Sequence, residues 1–299
     1  MNTRLEFLLA LARERHFGRA AEACGVTQPT LSAGLKQLEA ELGVLLVQRG
    51  SRFQRLTPEG EKVLGWARRI VGDTRAMRQD VEAMRKGLSG HLTIAAIPTA
   101  LPMVPDLTTP FRARHPQVNF TILSRTSAEA LALVDNLDAD AALTYLDNEP
   151  LGRVATVPLY RERYRLLTNP DAPLGDRESV TWAEVGDVPL CLLTPDMQNR
   201  RIINALLKGA GCVATPTLES NSMIVLFAHV RTGRWSSVMP AKLAATLGLP
   251  DNIRSIPIRE PEAAHTIGLV VAERDAMTPL CAALVAEARI IAARLDDGD

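Results

Sequence analysis

The chain has 299 residues, 46% of them hydrophobic, a length and composition that predict about two domains with buried cores. No apolar run approaches the ~18 residues that a membrane-spanning helix needs, and residues 1–18 lack the uninterrupted apolar stretch of a signal peptide, so we expect a cytoplasmic protein. The formal net charge is zero, but residues 1–90 carry 15 Lys or Arg against 10 Asp or Glu, which favours a polyanionic partner for that end.

Three helices are predicted in residues 1–43. Apolar side chains recur at helical spacing in residues 3–14, and a short helix at about 18–24 ends at Gly25. A third helix begins three residues later, and Pro29 lies in its first turn, where a missing N–H costs little. Two helices joined by a tight Gly-containing turn indicate a helix-turn-helix. The inward face of the third helix is predicted to carry Leu31, Leu35, Leu38 and Leu42.

The outer face of the third helix is small and weakly polar. A helix that enters the major groove must bring its backbone close to the base edges, so small side chains suit that role. Gln28 can make a bidentate pair with adenine, Lys36 can bind phosphate, and Thr27 can cap the helix. The alternative is an ordinary solvated surface. The predicted DNA-contacting residues of this region are Thr27, Gln28, Pro29, Thr30, Ser32, Ala33 and Lys36.

A hairpin is predicted after Gly43. An apolar run leads to a turn at residues 49–51, and a second short strand runs through Phe53 and Leu56. Basic residues at the tip and flank of this wing can reach a minor groove or the phosphate backbone. These residues are Arg49, Arg52 and Arg55.

A long helix is predicted after the hairpin. Thr57 caps it, Pro58 occupies its first position, and it extends to about Lys86. Mostly apolar side chains repeat at alternating intervals of four and three residues, a heptad seam that predicts a dimerising coiled coil. Alternatively, the helix packs on its own domain. The seam consists of Val63, Ala67, Ile70, Thr74, Met77, Val81 and Met84.

From His91 onward, predicted strands alternate with predicted helices, which indicates a parallel α/β sheet. The strands are at 92–98, 118–124, 140–146, 163–169, 189–195, 234–240 and 265–272, and the helices at 105–116, 127–137, 198–211 and 280–295. The sequence has no catalytic motif, its five histidines are scattered, and its four cysteines form no CxxC pair. We therefore predict free thiols and no enzyme activity, metal site or cofactor. The alternative for the cysteines is a redox-switch pair such as Cys191 with Cys212.

Residues 17–61 resemble the DNA-binding domain of LysR-type transcriptional regulators. The shared pattern comprises paired alanines, Q-P-x-x-S, L-E-x-x-L-G, a basic wing and L-T-x-x-G. Val47 departs from the Phe that the family commonly has. Gly34 falls inside the recognition helix, where Gly costs about 1 kcal/mol of helix stability relative to Ala. The resemblance covers the whole chain, which is also similar to a subgroup associated with formate dehydrogenase operons.

The resemblance implies an α/β protein with an N-terminal winged helix-turn-helix, a long linker helix and a periplasmic-binding-protein-like effector domain. The effector domain would consist of two α/β subdomains with an effector cleft between them. The implied boundaries are 1–57 for the DNA-binding domain, 58–88 for the linker helix, 91–299 for the effector domain, 91–161 with 266–299 for subdomain I, and 162–265 for subdomain II.

Loops at the carboxyl ends of the predicted strands would line this cleft. They are rich in hydroxyls and amides, and Thr99 and Ala100 precede a helix whose free N–H groups suit an anion. With Arg125 and Arg200 nearby, we predict a small carboxylate or similar anion as effector, with formate as one candidate. Alternatively, these polar residues are ordinary caps and turns. The predicted effector-binding residues are Pro98, Thr99, Ala100, Arg125, Thr126, Thr144, Thr194, Asn199, Ser220 and Asn221, and the same loops include Ser127, Tyr145 and residues 195–198.

The function implied by the resemblance is that of a transcription factor which binds a dyad-symmetric operator as a homodimer paired through the linker helix. It further implies a homotetramer, DNA bending, contact with RNA polymerase, and both repressor and activator behaviour. An effector in the cleft would shift the balance between two assembly shapes. The alternative is a cytoplasmic small-molecule-binding protein of periplasmic-binding fold without a regulatory role.

Overall fold

The structure, a computed structural model, describes residues 1–49, 53–273 and 277–296. The chain divides into two compact units. Met1–Ser89 makes up most of the first unit, and Gly90–Ala132 with Ala139–Glu273 makes up most of the second. Among the helices of the described residues, none is both long enough and apolar enough to cross a membrane.

The first unit consists of three short helices, a two-stranded wing and a long helix. Its elements are α1 (Asn2–Glu14), α2 (Phe17–Ala23), α3 (Gln28–Leu42), β1 (Val47–Arg49), β2 (Phe53–Leu56) and α4 (Pro58–Lys86). The wing strands pair antiparallel. One apolar core joins α1, α2, α3, the wing and the first half of α4. The winged helix-turn-helix and the long helix are therefore confirmed.

The helix starts follow from local capping chemistry. Thr27 Oγ1 accepts a hydrogen bond from the Thr30 backbone N–H at 3.4 Å, and Thr57 Oγ1 accepts one from the Gly60 N–H at 2.9 Å. Both predicted caps are present. His16, which the sequence pattern did not single out, caps α2 with its ring nitrogen.

The leucine face of α3 is buried over its first three positions only. Leu31, Leu35 and Leu38 are fully buried, whereas Leu42 is 44% exposed, so the prediction that Leu42 points inward is wrong. Gly43 adopts a left-handed conformation and ends the helix directly after Leu42. The last turn of α3 therefore extends past the core.

Gly34 lies where α3 packs against α1. A Cβ atom at this position would stand 2.7 Å from Cδ2 and 2.8 Å from Cε2 of the buried Phe7 ring. Real Cβ atoms do not approach other heavy atoms so closely, so a side chain here would push the two helices apart or displace the ring. Gly34 is thus explained by close helix packing.

The exposed apolar residues of α4 agree with the predicted seam at Ile70, Met77, Val81 and Met84 but not at its first two positions. Ala67 is fully buried in the core of its own unit and Val63 packs against the same core, so these two seam positions are wrong. Trp66 is 56% exposed instead. The exposed apolar residues along the helix are Trp66, Ile70, Met77, Val81 and Met84.

The second unit is built on a mixed sheet of eight strands with helices around it. Its elements are β3 (Gly90–Ala96), α5 (Val104–Arg114), β4 (Val118–Ser124), α6 (Ser127–Asp135), β5 (Ala141–Tyr145), β6 (Val154–Thr168), β7 (Val180–Thr181), α7 (Trp182–Gly186), β8 (Cys191–Leu193), α8 (Gln198–Gly209), β9 (Leu218–Ser220), α9 (Met223–Val230), β10 (Ser237–Pro240), α10 (Ala241–Leu247), β11 (Arg254–Arg259), β12 (Ala264–Ala272) and α11 (Pro279–Asp296). The strand order is β4-β3-β5-β12-β6-β11-β7, with β10 also paired to β6, and β8 and β9 form a separate parallel pair.

The sheet is parallel only in part. β3 pairs parallel with β4 and β5, but β12 runs antiparallel to β5 and β6, and β10 and β11 run antiparallel to β6. The prediction of a parallel sheet is therefore confirmed for β3 with β4 and β5 and for β11 with β7, but it is wrong for the pairs that β6 and β12 make. Strand β6 begins at Val154, well before the predicted start at Arg163. The prediction relied on apolar runs and missed the first part of the strand, because exposed and buried residues alternate there.

Candidate nucleic-acid interface and effector pocket

The outer face of α3 is an exposed surface of small side chains. The exposed residues are Thr27, Gln28, Pro29, Thr30, Ala33 and Lys36, and Ser32 at the edge of this face is half-buried. Pro29, Ala33 and Lys36 follow one another at helical spacing. Because the leucine side is fixed in the core, α3 presents a surface that another molecule can approach closely.

The wing adds positive charge beside this surface. Arg55 is exposed on β2, and its Nε donates to Gln48 Oε1 of β1 at 2.7 Å. The bond orients Arg55 and leaves the two terminal NH₂ groups of its guanidinium able to bind phosphate. Arg52 and the side chain of Arg49 lie outside the described residues.

Glu39 joins α3 to the wing, and the sequence pattern did not single it out. It is 7% exposed, and its Oε1 accepts hydrogen bonds from the backbone N–H groups of Leu46 at 2.9 Å and Val47 at 3.2 Å. A carboxylate that accepts backbone N–H groups forms charge-assisted bonds. The bonds therefore fix the first wing strand relative to the helix.

Replacing Glu39 with Ala is expected to destabilise the first unit by about 2 kcal/mol or more, because two buried N–H groups lose their acceptor. Native-state hydrogen exchange at Leu46 and Val47 measures the loss. Glu41→Ala is the matched control on the same helix, since Glu41 pairs with Arg4 at the surface, where such pairs contribute at most about 1 kcal/mol. Equal losses in the two variants would contradict the anchoring role of Glu39.

A small pocket in the second unit lies where the turn after β3 meets the first residues of α6 and α8. Its volume is about 10 Å³, close to the room that a single water molecule needs. The lining residues are Ile97, Pro98, Thr99, Ser127, Leu193, Met197, Gln198 and Asn199. The lining therefore combines apolar side chains with hydroxyl and amide groups, and part of it lies at the starts of α6 and α8.

Two buried hydroxyl groups of this pocket have no hydrogen-bond partner among the described residues. They are Thr99 Oγ1 and Ser127 Oγ, on residues that are 1% and 2% exposed. Buried polar groups are rarely left unpaired, since each one costs about 1–3 kcal/mol. Two of them in one pocket leave it able to bind a polar group, whether a water molecule or a ligand, that completes their bonds.

Two helices begin at the pocket. No side chain caps the start of α8, whose N-cap residue is Met197. Ser127 opens α6, and the residue before it, Thr126, exchanges hydrogen bonds with Glu129. The N-terminal end of a helix carries partial positive charge and free N–H groups. The uncapped start of α8 therefore offers N–H groups to a negatively charged ligand, whereas the start of α6 is already capped by Thr126 and Glu129.

The structure brings together three of the predicted effector-binding residues. Pro98, Thr99 and Asn199 line the pocket, together with Ser127 from the predicted loop at 125–127. The lining does not include Ala100, Arg125, Thr126, Thr144, Thr194, Ser220 or Asn221. Asn221 is exposed, and Ser220 Oγ accepts from the backbone N–H of residue 222.

The two arginines that were predicted to lie near the effector form hydrogen bonds with other groups. Arg125 is exposed and donates to the backbone oxygen of Ser124 at 2.7 Å. Arg200 is 4% exposed, and its Nη1 donates to the Leu193 backbone oxygen and to Glu219 Oε1, both at 2.7 Å. Neither arginine belongs to the pocket lining, so a donor to an anion there would have to come from the start of α8 or from a hydroxyl or amide group.

A hydrogen-bond chain runs from the pocket into the sheet. Asn199 Nδ2 donates to the Tyr145 hydroxyl at 3.0 Å, and that hydroxyl donates to Glu162 Oε1 on β6. Glu162 is 1% exposed, and burial raises its pKa to about 8. Sequence reasoning missed Glu162, although alternation along the strand places it on one face with Tyr160 and Tyr164.

The cysteines lie outside the pocket lining. All four belong to the described residues, and none forms a disulfide. Burial raises the pKa of the Cys191 thiol to about 11 and also raises that of Cys24. A reactive cysteine needs the opposite shift, because the thiolate is the nucleophile.

Two family models match the chain. Residues 3–61 match the model described as bacterial regulatory helix-turn-helix protein, lysR family, and residues 85–290 match the model described as LysR substrate binding domain. The two matches together cover both the surface of α3 and the pocket.

Similar proteins share nearly the whole length. The chain is 30% identical over 272 residues to the DNA-binding transcriptional dual regulator OxyR of Escherichia coli (strain K12), covering 90% of this chain and 89% of that one. A full-length OxyR variant from Pseudomonas aeruginosa is similar in structure, with a TM-score of 0.74, 28% identity, and coverage of 98% and 99%. CbnR complexed with its target DNA has the same fold, with a TM-score of 0.60, 22% identity, and coverage of 98% and 100%.

Proposed function

The chain belongs to the LysR family of transcriptional regulators, and we propose that it controls transcription in response to a small anion bound in the pocket of its second unit. DNA binding and an effector-binding domain come with the family, which consists of regulators rather than enzymes. Family membership does not specify the effector, and the anion is our proposal for it. The observation that supports it is the pair of unpartnered hydroxyls on Thr99 and Ser127 in the same pocket as the uncapped start of α8.

The pocket has room for about one water molecule, so any anion has to widen it, and an anion of a few atoms requires the least widening. Formate is the carboxylate that fits best, because its two oxygens can accept hydrogen bonds from the hydroxyls of Thr99 and Ser127 and from N–H groups at the start of α8. A carboxylate larger than formate would have to widen the pocket further. Formate is therefore the first probe.

Hydrogen peroxide is the second candidate. It is equally small, and relatives such as the 29% identical protein of Dickeya chrysanthemi are named hydrogen peroxide-inducible genes activators. Thiol chemistry at Cys191 is disfavoured, since the raised pKa keeps that group protonated. An uncharged peroxide also gains less than an anion from helix N-termini.

On DNA, we propose that α3 enters the major groove with its first turn leading. Gln28 would pair with a base edge, Pro29 and Ala33 would contact thymine methyl groups, and Lys36 would bind phosphate. Arg55 of the wing would contact the backbone. The exposed, small outer face of α3 and the net charge of +5 on residues 1–90 support this arrangement.

A second copy of the chain would cover the exposed apolar seam of α4. Trp66, Ile70, Met77 and Val81 are 56%, 37%, 59% and 54% exposed, and such residues in a line are typical of a helix pair. A dimer of this kind would read a dyad-symmetric operator. A tetramer, contact with RNA polymerase and a cytoplasmic location belong to the same proposal.

Footprinting on the DNA upstream of the chain's own gene tests the function. We expect two protected half-sites related by a dyad, and a change in the protected length or in the DNA bend when sodium formate is added. If formate, acetate and hydrogen peroxide all leave the footprint unchanged, the proposed effector class is wrong even though the DNA site is real.

Thr99→Val is expected to weaken formate binding about 10- to 100-fold, because the variant loses a hydrogen bond to a charged ligand. Val has nearly the same shape, and the hydroxyl that it removes is unpaired, so the free protein keeps its stability. Thr144→Val is the matched control, since Thr144 is also buried with an unpaired hydroxyl but lies outside the pocket lining. Calorimetry with sodium formate measures both. A loss at Thr144 equal to that at Thr99 would contradict the assignment.

A further inference from the structure

Glu162 is a buried acid with an incomplete set of partners. Its Oε1 accepts the Tyr145 hydroxyl, whereas its Oε2 has no partner in the part of the chain that the structure describes. The charged neighbour that acts on it most is Asp147, a carboxylate of the same sign. Burial and a like charge both favour the neutral acid. Glu162 can therefore take up a proton near neutral pH.

Other titratable groups face Glu162 from each neighbouring element. Tyr160 and Tyr164 lie on β6 with Glu162, and His265 lies opposite Glu162 on β12. Tyr145 ends β5 and Asp147 follows it. Lys242 and Asp106 lie beside Tyr160. Both basic groups have carboxylate partners of their own. Lys242 Nζ binds Asp106 Oδ2 at 2.8 Å, and His265 Nδ1 lies 3.4 Å from Asp147 Oδ1. Neither compensates a charge on Glu162.

We propose that Glu162 is a positioning residue for anion recognition: by taking up a proton it reverses the hydrogen-bond chain through Tyr145 and turns the amide of Asn199 so that N–H groups face the pocket. The proposal rests on the anionic effector proposed above, and it adds a proton as a second, linked ligand.

The reversal follows from the donors and acceptors that each group offers. When Glu162 is ionised it can only accept, so the Tyr145 hydroxyl donates to it and accepts from Asn199 Nδ2, as in the structure. When Glu162 takes up its proton on Oε1, that O–H can donate to the Tyr145 oxygen. The Tyr145 O–H then donates to Asn199 Oδ1, once the amide has turned by half a rotation.

Turning the amide changes the polarity of the pocket wall. With Nδ2 bound to Tyr145, the carbonyl oxygen of Asn199 lies on the opposite edge of the amide, and an anion would be repelled by it. After the turn, the NH₂ group occupies that edge and can donate to the anion. The anion and the proton on Glu162 therefore stabilise each other, and each raises the affinity for the other by the same factor.

Calorimetry with sodium formate between pH 6 and pH 9 tests the coupling on the full-length protein. Formate stays ionised over this range, so any change belongs to the protein. We expect the affinity to fall about tenfold from pH 7 to pH 9 as Glu162 loses its proton. Buffers with different heats of ionisation should report proton uptake that rises towards about one per site over the same range.

Glu162→Gln and Tyr145→Phe separate the coupling from general acid sensitivity. Glu162→Gln provides a neutral N–H donor to Tyr145, so formate should bind with the low-pH affinity at every pH and without proton uptake. Tyr145→Phe interrupts the chain and should also remove the pH dependence. Glu262→Gln, which removes an exposed carboxylate paired with Arg163, should keep the behaviour of the unmodified chain.

Stability provides a readout that needs no ligand. The folded-state pKa of Glu162 is raised from 4.5 to about 8, so the folded protein binds more protons than the unfolded one, and stability should fall as pH rises through this window. The melting temperature of Glu162→Gln should therefore rise relative to the unmodified chain from pH 5 to pH 8. A constant difference would mean that Glu162 is ionised throughout, which overturns the proposal.

The binding outcomes distinguish this inference from the proposed function. Formate binding that is independent of pH, or that keeps its pH dependence in Glu162→Gln, overturns the coupling and leaves the anionic effector in place. If formate and acetate fail to bind at every pH while operator binding is retained, both the anionic effector and the coupling are wrong. A tenfold fall that disappears in both chain variants supports the inference.

Discussion

Ala33→Trp is expected to weaken operator binding by at least about 100-fold, equivalent to about 2.7 kcal/mol, because the indole would hold the backbone of α3 away from the base edges. Ala33 is exposed in the middle of the outer face, so the fold should remain intact. Fluorescence anisotropy with the operator and with unrelated DNA of the same length measures the effect. Affinity for unrelated DNA depends mainly on phosphate contacts and should change little.

Ala40→Trp is the matched control for this prediction. Ala40 is exposed on the same side of α3, but it lies seven residues further on, which is about 10 Å along the helix axis. Because the first turn of α3 is proposed to enter the groove, bulk at Ala40 should leave operator affinity nearly unchanged. Loss of binding in Ala40→Trp with binding kept in Ala33→Trp would reverse the orientation of the helix on DNA.

Gly60→Ala is expected to destabilise the first unit by about 3 kcal/mol or more. Gly60 lies in the first turn of α4, and a Cβ there would stand 2.1 Å from the backbone oxygen of Leu46 and 3.0 Å from its carbonyl carbon. A backbone atom cannot move aside as the end of a flexible side chain can. The junction between the wing and α4 would have to open, so hydrogen exchange at Leu46 and Thr57 should become much faster.

Gly65→Ala provides the opposite result on the same helix. Gly65 is exposed, and a Cβ there meets nothing within 4 Å. The substitution should stabilise α4 by up to about 1 kcal/mol, the difference in helix propensity between Gly and Ala. Destabilisation of similar size in both variants would show that helix geometry rather than the contact with Leu46 controls Gly60.

The features that the sequence predicted correctly depend on local patterns. The caps at Thr27 and Thr57 and the leucines at the start of α3 follow from spacing within one turn or two of a helix. Gly34 was located but not explained, and Glu39 was not singled out, because their reasons lie in Phe7 and in the wing backbone. Such contacts join residues far apart in the sequence.

The second unit shows where prediction from local patterns ends. Strand direction in the sheet beyond β5 depends on how β6 and β12 pair, and no short window of sequence encodes that pairing. Short or half-exposed elements such as β7 and α9 gave too little periodicity to be recognised. At the pocket, the parallel-strand rule located Thr99, Ser127 and Asn199. It did not reach Glu162, which acts through Tyr145 from inside the sheet.

The carboxylate of Glu39 has a consequence for how the operator can evolve. Because it bonds α3 to the start of the wing, one copy of the chain would meet the proposed half-site as a single unit with a fixed footprint. An effector would then alter the spacing and phase between half-sites, not the preferred bases within one. The operators that the protein prefers with and without effector should consequently share the same half-site sequence. They should differ in the length of DNA between the two half-sites.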